Sequence, residues 1–68
     1  MSERRARAVA IGIDIGTSGV RAAALGADGT PLHVGASAFP DAASGREPAT
    51  WWRGVETCLA ELAAHVSL

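Results

Sequence analysis

The chain has 68 residues, of which 49% are hydrophobic and 19% are charged, and its formal net charge is −1. This near-neutral balance provides no basic surface for nucleic acid or for an acidic membrane, so we expect neither as a partner. The single cysteine, Cys58, excludes an internal disulfide, and no group of cysteines and histidines has the spacing of metal ligands.

The polar segment at residues 1–7 predicts a disordered tail ahead of one folded unit over residues 8–68. This tail is too short and too mixed in charge for a targeting peptide. No apolar run follows it that is long enough for a signal sequence or a membrane span. We therefore expect a cytoplasmic protein.

Three strands are predicted in the first half of the chain. Residues 8–14 (AVAIGID) are apolar or small on both faces, which is typical of a strand inside a sheet covered on both sides. Residues 20–25 predict a second strand after a glycine-containing turn, and residues 32–38 predict a third, more polar strand after an Asp-Gly turn. The short connections predict an antiparallel meander.

A helix is predicted in the second half, after a loop at residues 39–46 that is rich in turn-forming residues. Pro48 suits its first turn, and the apolar residues then recur with the helical period. The predicted apolar stripe consists of Trp52, Val55, Leu59, Leu62 and Val66. Gly54 predicts a weak point of about 1 kcal/mol relative to alanine. No stop signal precedes Leu68, so the helix is expected to reach that residue.

Other prominent side chains receive structural interpretations. We expect Trp52 to pack in the core rather than to stack on a sugar. His33 is interpreted as a half-exposed strand residue, and His65 as a favourable partner for the carboxyl end of the helix dipole. Cys58 is expected to be an inert thiol at the edge of the core.

The first strand and the helix end together predict a truncated domain. A strand of central character would have a neighbour on one side only, and the helix lacks a glycine cap. A chain of this length also buries only about 60% of the surface that its unfolded form exposes. We expect the missing elements to follow Leu68, and residues 1–68 alone to be marginally folded or to aggregate.

The turn between the first two strands lies in the segment DIGTSGVR, residues 14–21. Backbone N–H groups in a glycine-rich turn can converge on phosphate oxygens. Gly16 and Gly19 would allow close approach of the ligand and positive φ angles. The hydroxyls of Thr17 and Ser18 add further donors.

Two charged residues flank this turn. Asp14 would act on phosphate through a Mg²⁺ ion, and Arg21 would offset the charge of a phosphoryl group. An ordinary hairpin turn, with Asp14 paired to Arg21, remains the alternative from these residues alone. The segment has neither the Walker A pattern nor the dinucleotide-binding glycine pattern.

The segment IGIDIGTSGVRAAALGADGTPL resembles the first phosphate motif of the actin-like ATPase superfamily. Within that superfamily, DIGTSGVRA followed by a strand and an Asp-Gly turn is most similar to the FGGY carbohydrate kinases. EPATWWRGVETCLAEL resembles the first helix of the same family. The resemblance extends over residues 8–66, and the doubled glycine of ROK-type kinases is absent.

The resemblance implies a ribonuclease-H-like α/β fold, ATP and Mg²⁺ as cofactors, and a sugar or polyol as the phosphoryl acceptor. It implies that Asp14 places the metal, that Gly16, Thr17 and Ser18 form the phosphate loop, and that Arg21 is catalytic near the γ-phosphate. It also implies a general base, a sugar pocket and a second phosphate loop that this sequence does not contain, so the chain alone is expected to be inactive.

Two alternatives remain beside the kinase. An actin-like ATPase of the filament or chaperone type would use the same phosphate turn, and a non-catalytic fragment would have no activity of its own. The resemblance leaves open which sugar is used and whether the full-length protein is a homo-oligomer.

Overall fold

In the computed structural model, which describes residues 6–68, three strands precede a short 3-10 helix and one long α-helix. The strands are β1 (Ala10–Ile15), β2 (Gly19–Leu25) and β3 (Pro31–Ala38); the 3-10 helix covers Ser44–Arg46, and the α-helix, α1, covers Pro48–His65. No helix within the described residues is both long enough and apolar enough to cross a bilayer.

The three strands form one antiparallel sheet in the order β1-β2-β3. The β2–β3 turn contains Gly29, whose φ of 82° is reached easily by glycine. The carboxylate of Asp28 accepts a hydrogen bond from the Thr30 N–H at 3.0 Å, and this bond holds the pKa of Asp28 below its usual range. The strand order and the single long helix confirm the predicted meander followed by one helix, and with it the α/β class.

The first strand differs from the sequence prediction. All six residues of β1 are exposed, and within the described residues β1 has a neighbour, β2, on one side only. The expectation that β1 has a strand neighbour on one side only is confirmed for the described residues, whereas the helix that was expected to cover one of its faces leaves both faces exposed. The reason is that α1 packs mainly on β2 and β3 and leaves β1 uncovered.

The core lies between α1 and one face of β2. Its fully or almost fully buried members are Val20, Ala22, Ala24, Val55, Cys58, Leu62 and Val66. The strand residues in this group alternate along β2, so every second side chain points toward the helix. Because two of the three are alanines, the helix can lie close to the sheet.

Two glycines lie where α1 meets the sheet. A Cβ atom on Gly54 would lie 2.7 Å from Cγ2 of Val20, and one on Gly35 would lie 3.1 Å from the Cys58 carbonyl oxygen. Gly54 is buried, so its interpretation as a simple weak point of the helix was incomplete. Its missing side chain allows the close contact with Val20.

The helix stripe is rotated relative to the predicted one. Trp52 is 67% exposed, which contradicts its placement in the core, and the half-buried tryptophan is Trp51. Positions 51, 55, 58 and 62 fall on one helical face, and Cys58, which is 0% exposed, lies within that face. The expectation that Cys58 lies at the core edge is therefore wrong as well. Burial, together with the negative charge of Glu61, raises the pKa of its thiol.

Both ends of the described chain meet beside the core. The helix ends at His65 rather than at Leu68, and the buried Val66 donates its N–H to the Leu62 carbonyl at 2.8 Å. Ser67 then forms a parallel bridge with Arg7, through two hydrogen bonds of 2.9 Å to the backbone of Ala6 and Ala8. Of the predicted tail, residues 1–5 lie outside the described residues.

Candidate functional site

The first turn, residues 16–18, joins β1 to β2 and is held at its base. The Gly16 N–H donates to the Gly19 carbonyl at 2.9 Å, so this N–H is already engaged. The Thr17 and Ser18 N–H groups have no acceptor among the described residues, and both residues are exposed. The turn therefore presents two backbone donors and two hydroxyls to solvent.

The two glycines of the first hairpin do not adopt the positive φ angles that were predicted for them. Neither Gly16 nor Gly19 has a positive φ, since Gly29 is the only glycine of that kind in the part of the chain described here. A Cβ on Gly19 would lie 2.5 Å from the Ser37 carbonyl oxygen, whereas one on Gly16 would lie no closer than 3.6 Å to any neighbour. Gly19 is thus required by packing, and Gly16 leaves space above the turn.

The segment between β3 and α1 supports the turn from below. The Phe39 N–H donates to the Ser18 carbonyl at 2.8 Å, and the Trp51 Nε1–H donates to the Gly45 carbonyl at 2.7 Å. Gly45 lies so close to the Thr17 carbonyl oxygen that a Cβ there would approach it to 3.0 Å. The sequence interpretation missed this support; the only signal was the glycine at position 45 within the loop.

The same loop is ordered by a side-chain hydrogen bond at its start. The Asp41 carboxylate accepts the Ser44 N–H at 2.7 Å, which fixes the beginning of the 3-10 helix. This bond to the charged form of the carboxyl lowers the pKa of Asp41. The turn is therefore supported by a loop with its own local structure rather than by β1 and β2 alone.

Asp14 and Arg21 are directly opposite each other in the β1–β2 register. Arg21 lies between the buried Val20 and Ala22, so strand alternation directs it away from α1, and Asp14 shares that face. Both residues are exposed, and within residues 6–68 no ion pair joins them. The ion-paired hairpin considered from the sequence is not formed.

These residues surround an open hollow of about 380 Å³, which we call the turn hollow. It is lined by Asp14, Gly16, Thr17, Ser18, Gly19, Val20, Arg21, Ala36, Ser37 and Ala38. All five site residues predicted from the sequence are therefore brought to one place. A carboxylate, two hydroxyls, free N–H groups and a guanidinium form a donor set that suits a phosphate with its divalent cation.

A second group of reactive side chains was not predicted. His33, Glu61 and His65 lie together where β3 meets the end of α1, although the sequence spacing indicated no metal-ligand cluster. The available signal was a glutamate and a histidine four residues apart on a predicted helix, one turn from each other. Their partner on β3 is distant in sequence, so spacing alone did not reveal it.

Comparisons of this chain with protein-family models, with curated proteins and with solved structures found no match. The interpretation of the turn hollow therefore depends on its geometry, on the chemistry of its donors and on the sequence resemblance.

Proposed function

We propose that residues 8–66 form the phosphate-binding part of an ATP-dependent carbohydrate kinase of the FGGY type, with a ribonuclease-H-like fold. The acceptor would be a hydroxyl of a sugar or polyol, and the protein would act in the cytoplasm. The observation that supports this most is the convergence of Asp14, Arg21 and the exposed first turn on the turn hollow.

The residues of the turn hollow would have different binding roles according to their charge. The free N–H groups and hydroxyls of Thr17 and Ser18 bind phosphate oxygens, and the open space above Gly16 admits them. Asp14 holds Mg²⁺ directly or through water, because a bare carboxylate would repel the phosphates. Arg21 places a fixed positive charge beside the phosphoryl group. When bound, Mg-ATP supplies the phosphoryl group that is transferred.

No residue described here is assigned as the general base or as part of a sugar pocket. Phosphoryl transfer needs the metal, the nucleotide and the acceptor positioned together. We therefore expect this chain to bind nucleotide phosphates but not to catalyse turnover.

An NMR titration of the isotope-labelled chain with Mg-ATP tests the proposal. The expected result is a saturable shift of the Thr17 and Ser18 amide signals, abolished in Arg21→Gln and strongly weakened in Asp14→Asn. Glu56→Gln is the matched control, because it also removes one exposed carboxylate but lies on α1, away from the turn hollow.

A dispersed amide spectrum before nucleotide is added shows that each variant is folded. Unchanged Thr17 and Ser18 signals at saturating Mg-ATP would overturn the proposal. The same conclusion would follow if Glu56→Gln weakened binding as much as Asp14→Asn did.

A further inference from the structure

The close packing of α1 on β3 sets the position of the second side-chain cluster. Gly35 is buried on β3, and a Cβ there would lie 3.4 Å from the Glu61 Cβ. The tightest contact of such a Cβ would be 3.1 Å, to the Cys58 carbonyl oxygen, so the absence of a side chain at Gly35 lets α1 lie close to β3 and brings Glu61 next to the strand. His33 is two residues earlier and on the same face of β3, so it rises beside the helix.

The helix supplies two groups above this histidine. Glu61 and His65 are one turn apart on α1, and residues with this spacing share a helix face. His33 Nε2 lies 2.9 Å from Glu61 Oε2. The rings of His33 and His65 stack with their centroids 4.0 Å apart and their planes 17° from parallel. Two imidazoles and one carboxylate thus lie next to one another.

We propose that His33, Glu61 and His65, here called the β3–α1 cluster, bind a divalent transition-metal ion, and that Zn²⁺ is the ion they suit best. One ligand atom from each residue lies within 4.8 Å of the other two. Around a tetrahedral Zn²⁺ ion with bonds of about 2.0–2.1 Å, ligand atoms are separated by about 3.3 Å. His33 Nε2 and Glu61 Oε2, 2.9 Å apart, are already within this separation. The rings of His33 and His65 are stacked, and a metal binds in the plane of an imidazole ring, so the exposed His65 ring has to rotate out of the stack to complete the site.

The surroundings of the cluster allow an ion to enter. The side chains of His33 and Glu61 are 26% and 45% exposed, and His65 is exposed as well. Imidazole nitrogen and carboxylate oxygen are ordinary zinc ligands, and three protein ligands leave a fourth position for water or another molecule. The ion would replace the contact of 2.9 Å that now joins His33 Nε2 and Glu61 Oε2.

The cluster is separate from the turn hollow. His33 pairs with Ala24, whose side chain is buried toward α1, whereas Asp14 and Arg21 lie on the opposite face of the sheet. Its residues line no part of the turn hollow. An ion held here would join β3 to the last turns of α1 and would stabilise their packing, because it would bind the folded state and not the unfolded one.

Calorimetry with Zn²⁺ and visible spectroscopy with Co²⁺ on the chelator-treated chain test this proposal. We expect one ion per chain and a thermal unfolding midpoint that rises until one equivalent has been added. His33→Gln, Glu61→Gln and His65→Gln are each expected to lower the affinity by at least about tenfold. Glu56→Gln, an exposed glutamate on the same helix, is expected to bind as the parent chain does.

Imidazole NMR signals of the unsubstituted chain provide a second measurement that does not depend on any variant folding. The signals of His33 and His65 are expected to shift together, with saturation at one equivalent of Zn²⁺. The proposal is overturned if these signals do not respond, or if binding is equal in all the variants. A thiolate band in the Co²⁺ spectrum would also overturn it, because that band would place the ion on Cys58.

Discussion

Single glycines show how differently one residue type can act in this chain. Gly16 and Gly19 flank the same turn with ordinary negative φ angles, yet only Gly19 is in contact with β3. The absent Cβ of Gly19 permits strand packing, while that of Gly16 leaves an approach to the turn open. Stability and ligand binding should therefore respond to different members of this pair.

We predict that Gly19→Ala lowers the free energy of unfolding by about 1–3 kcal/mol, because the new methyl group overlaps the Ser37 carbonyl. Gly16→Ala is the matched control and should leave unfolding nearly unchanged, since nothing lies within 3.6 Å of its added Cβ. Urea denaturation followed by circular dichroism measures both. Equal destabilisation by the two variants would contradict the assigned roles.

Residue identity also explains where prediction from the sequence failed. Asp14, Thr17, Ser18 and Arg21 were predicted correctly to lie around one turn because they are close in sequence and β alternation fixes their faces. His33 and the helix residues above it were missed, because their meeting depends on how deeply α1 settles on Gly35. That depth is a property of tertiary packing and has no local pattern.

At the scale of elements, the strands and the helix were predictable because the apolar period changes from two to about 3.6 between them. The rotation of α1 about its axis was not. Trp51 and Trp52 are equally apolar, so the sequence does not show which of them faces the sheet. Two tertiary contacts set the rotation of α1: the close packing of Gly54 on Val20, and the hydrogen bond from Trp51 Nε1–H to the Gly45 carbonyl. Neither contact can be inferred from helix propensity or from the apolar pattern of the sequence.

We predict that Gly54→Ala destabilises the chain by about 1–2 kcal/mol, against the helix-propensity ranking. The added methyl group would lie 2.7 Å from Cγ2 of the buried Val20 and would push α1 away from β2. Ala60→Gly, at an exposed position of the same helix, gives the comparison: it should cost about 1 kcal/mol through propensity alone. Thermal unfolding of both variants measures the two changes in stability. A Gly54→Ala chain that is more stable than the parent would contradict the packing argument.

At the scale of the whole molecule, the main feature is an uncovered row of apolar side chains beside α1. This row consists of Val9, Ile11, Ile13 and Ile15, which are 64%, 39%, 47% and 46% exposed. It lies along a strand whose outer edge has no partner within the described residues. An exposed apolar edge strand favours association between chains.

We predict that the 68-residue chain associates in a concentration-dependent manner and that Ile13→Lys reduces this association. Because Ile13 is half-exposed at the sheet edge, a charged side chain there can remain in water and oppose edge pairing. Sedimentation velocity over a range of concentrations measures the effect. Glu56→Lys, which adds a lysine on the exposed side of α1, is the control and should leave association unchanged.

A monomeric parent chain at all concentrations would contradict this prediction. An Ile13→Lys chain that associates as strongly as the parent would place the contact elsewhere.

The bridge between Arg7 and Ser67 has a mechanical consequence. The two segments run parallel, and their two hydrogen bonds of 2.9 Å lie side by side. A pull that separates the two ends of the described chain acts along the segments in opposite directions, so it loads both bonds in shear at the same time. Tension applied at the ends of the described chain would therefore act on these two hydrogen bonds before it acts on the helix or the sheet.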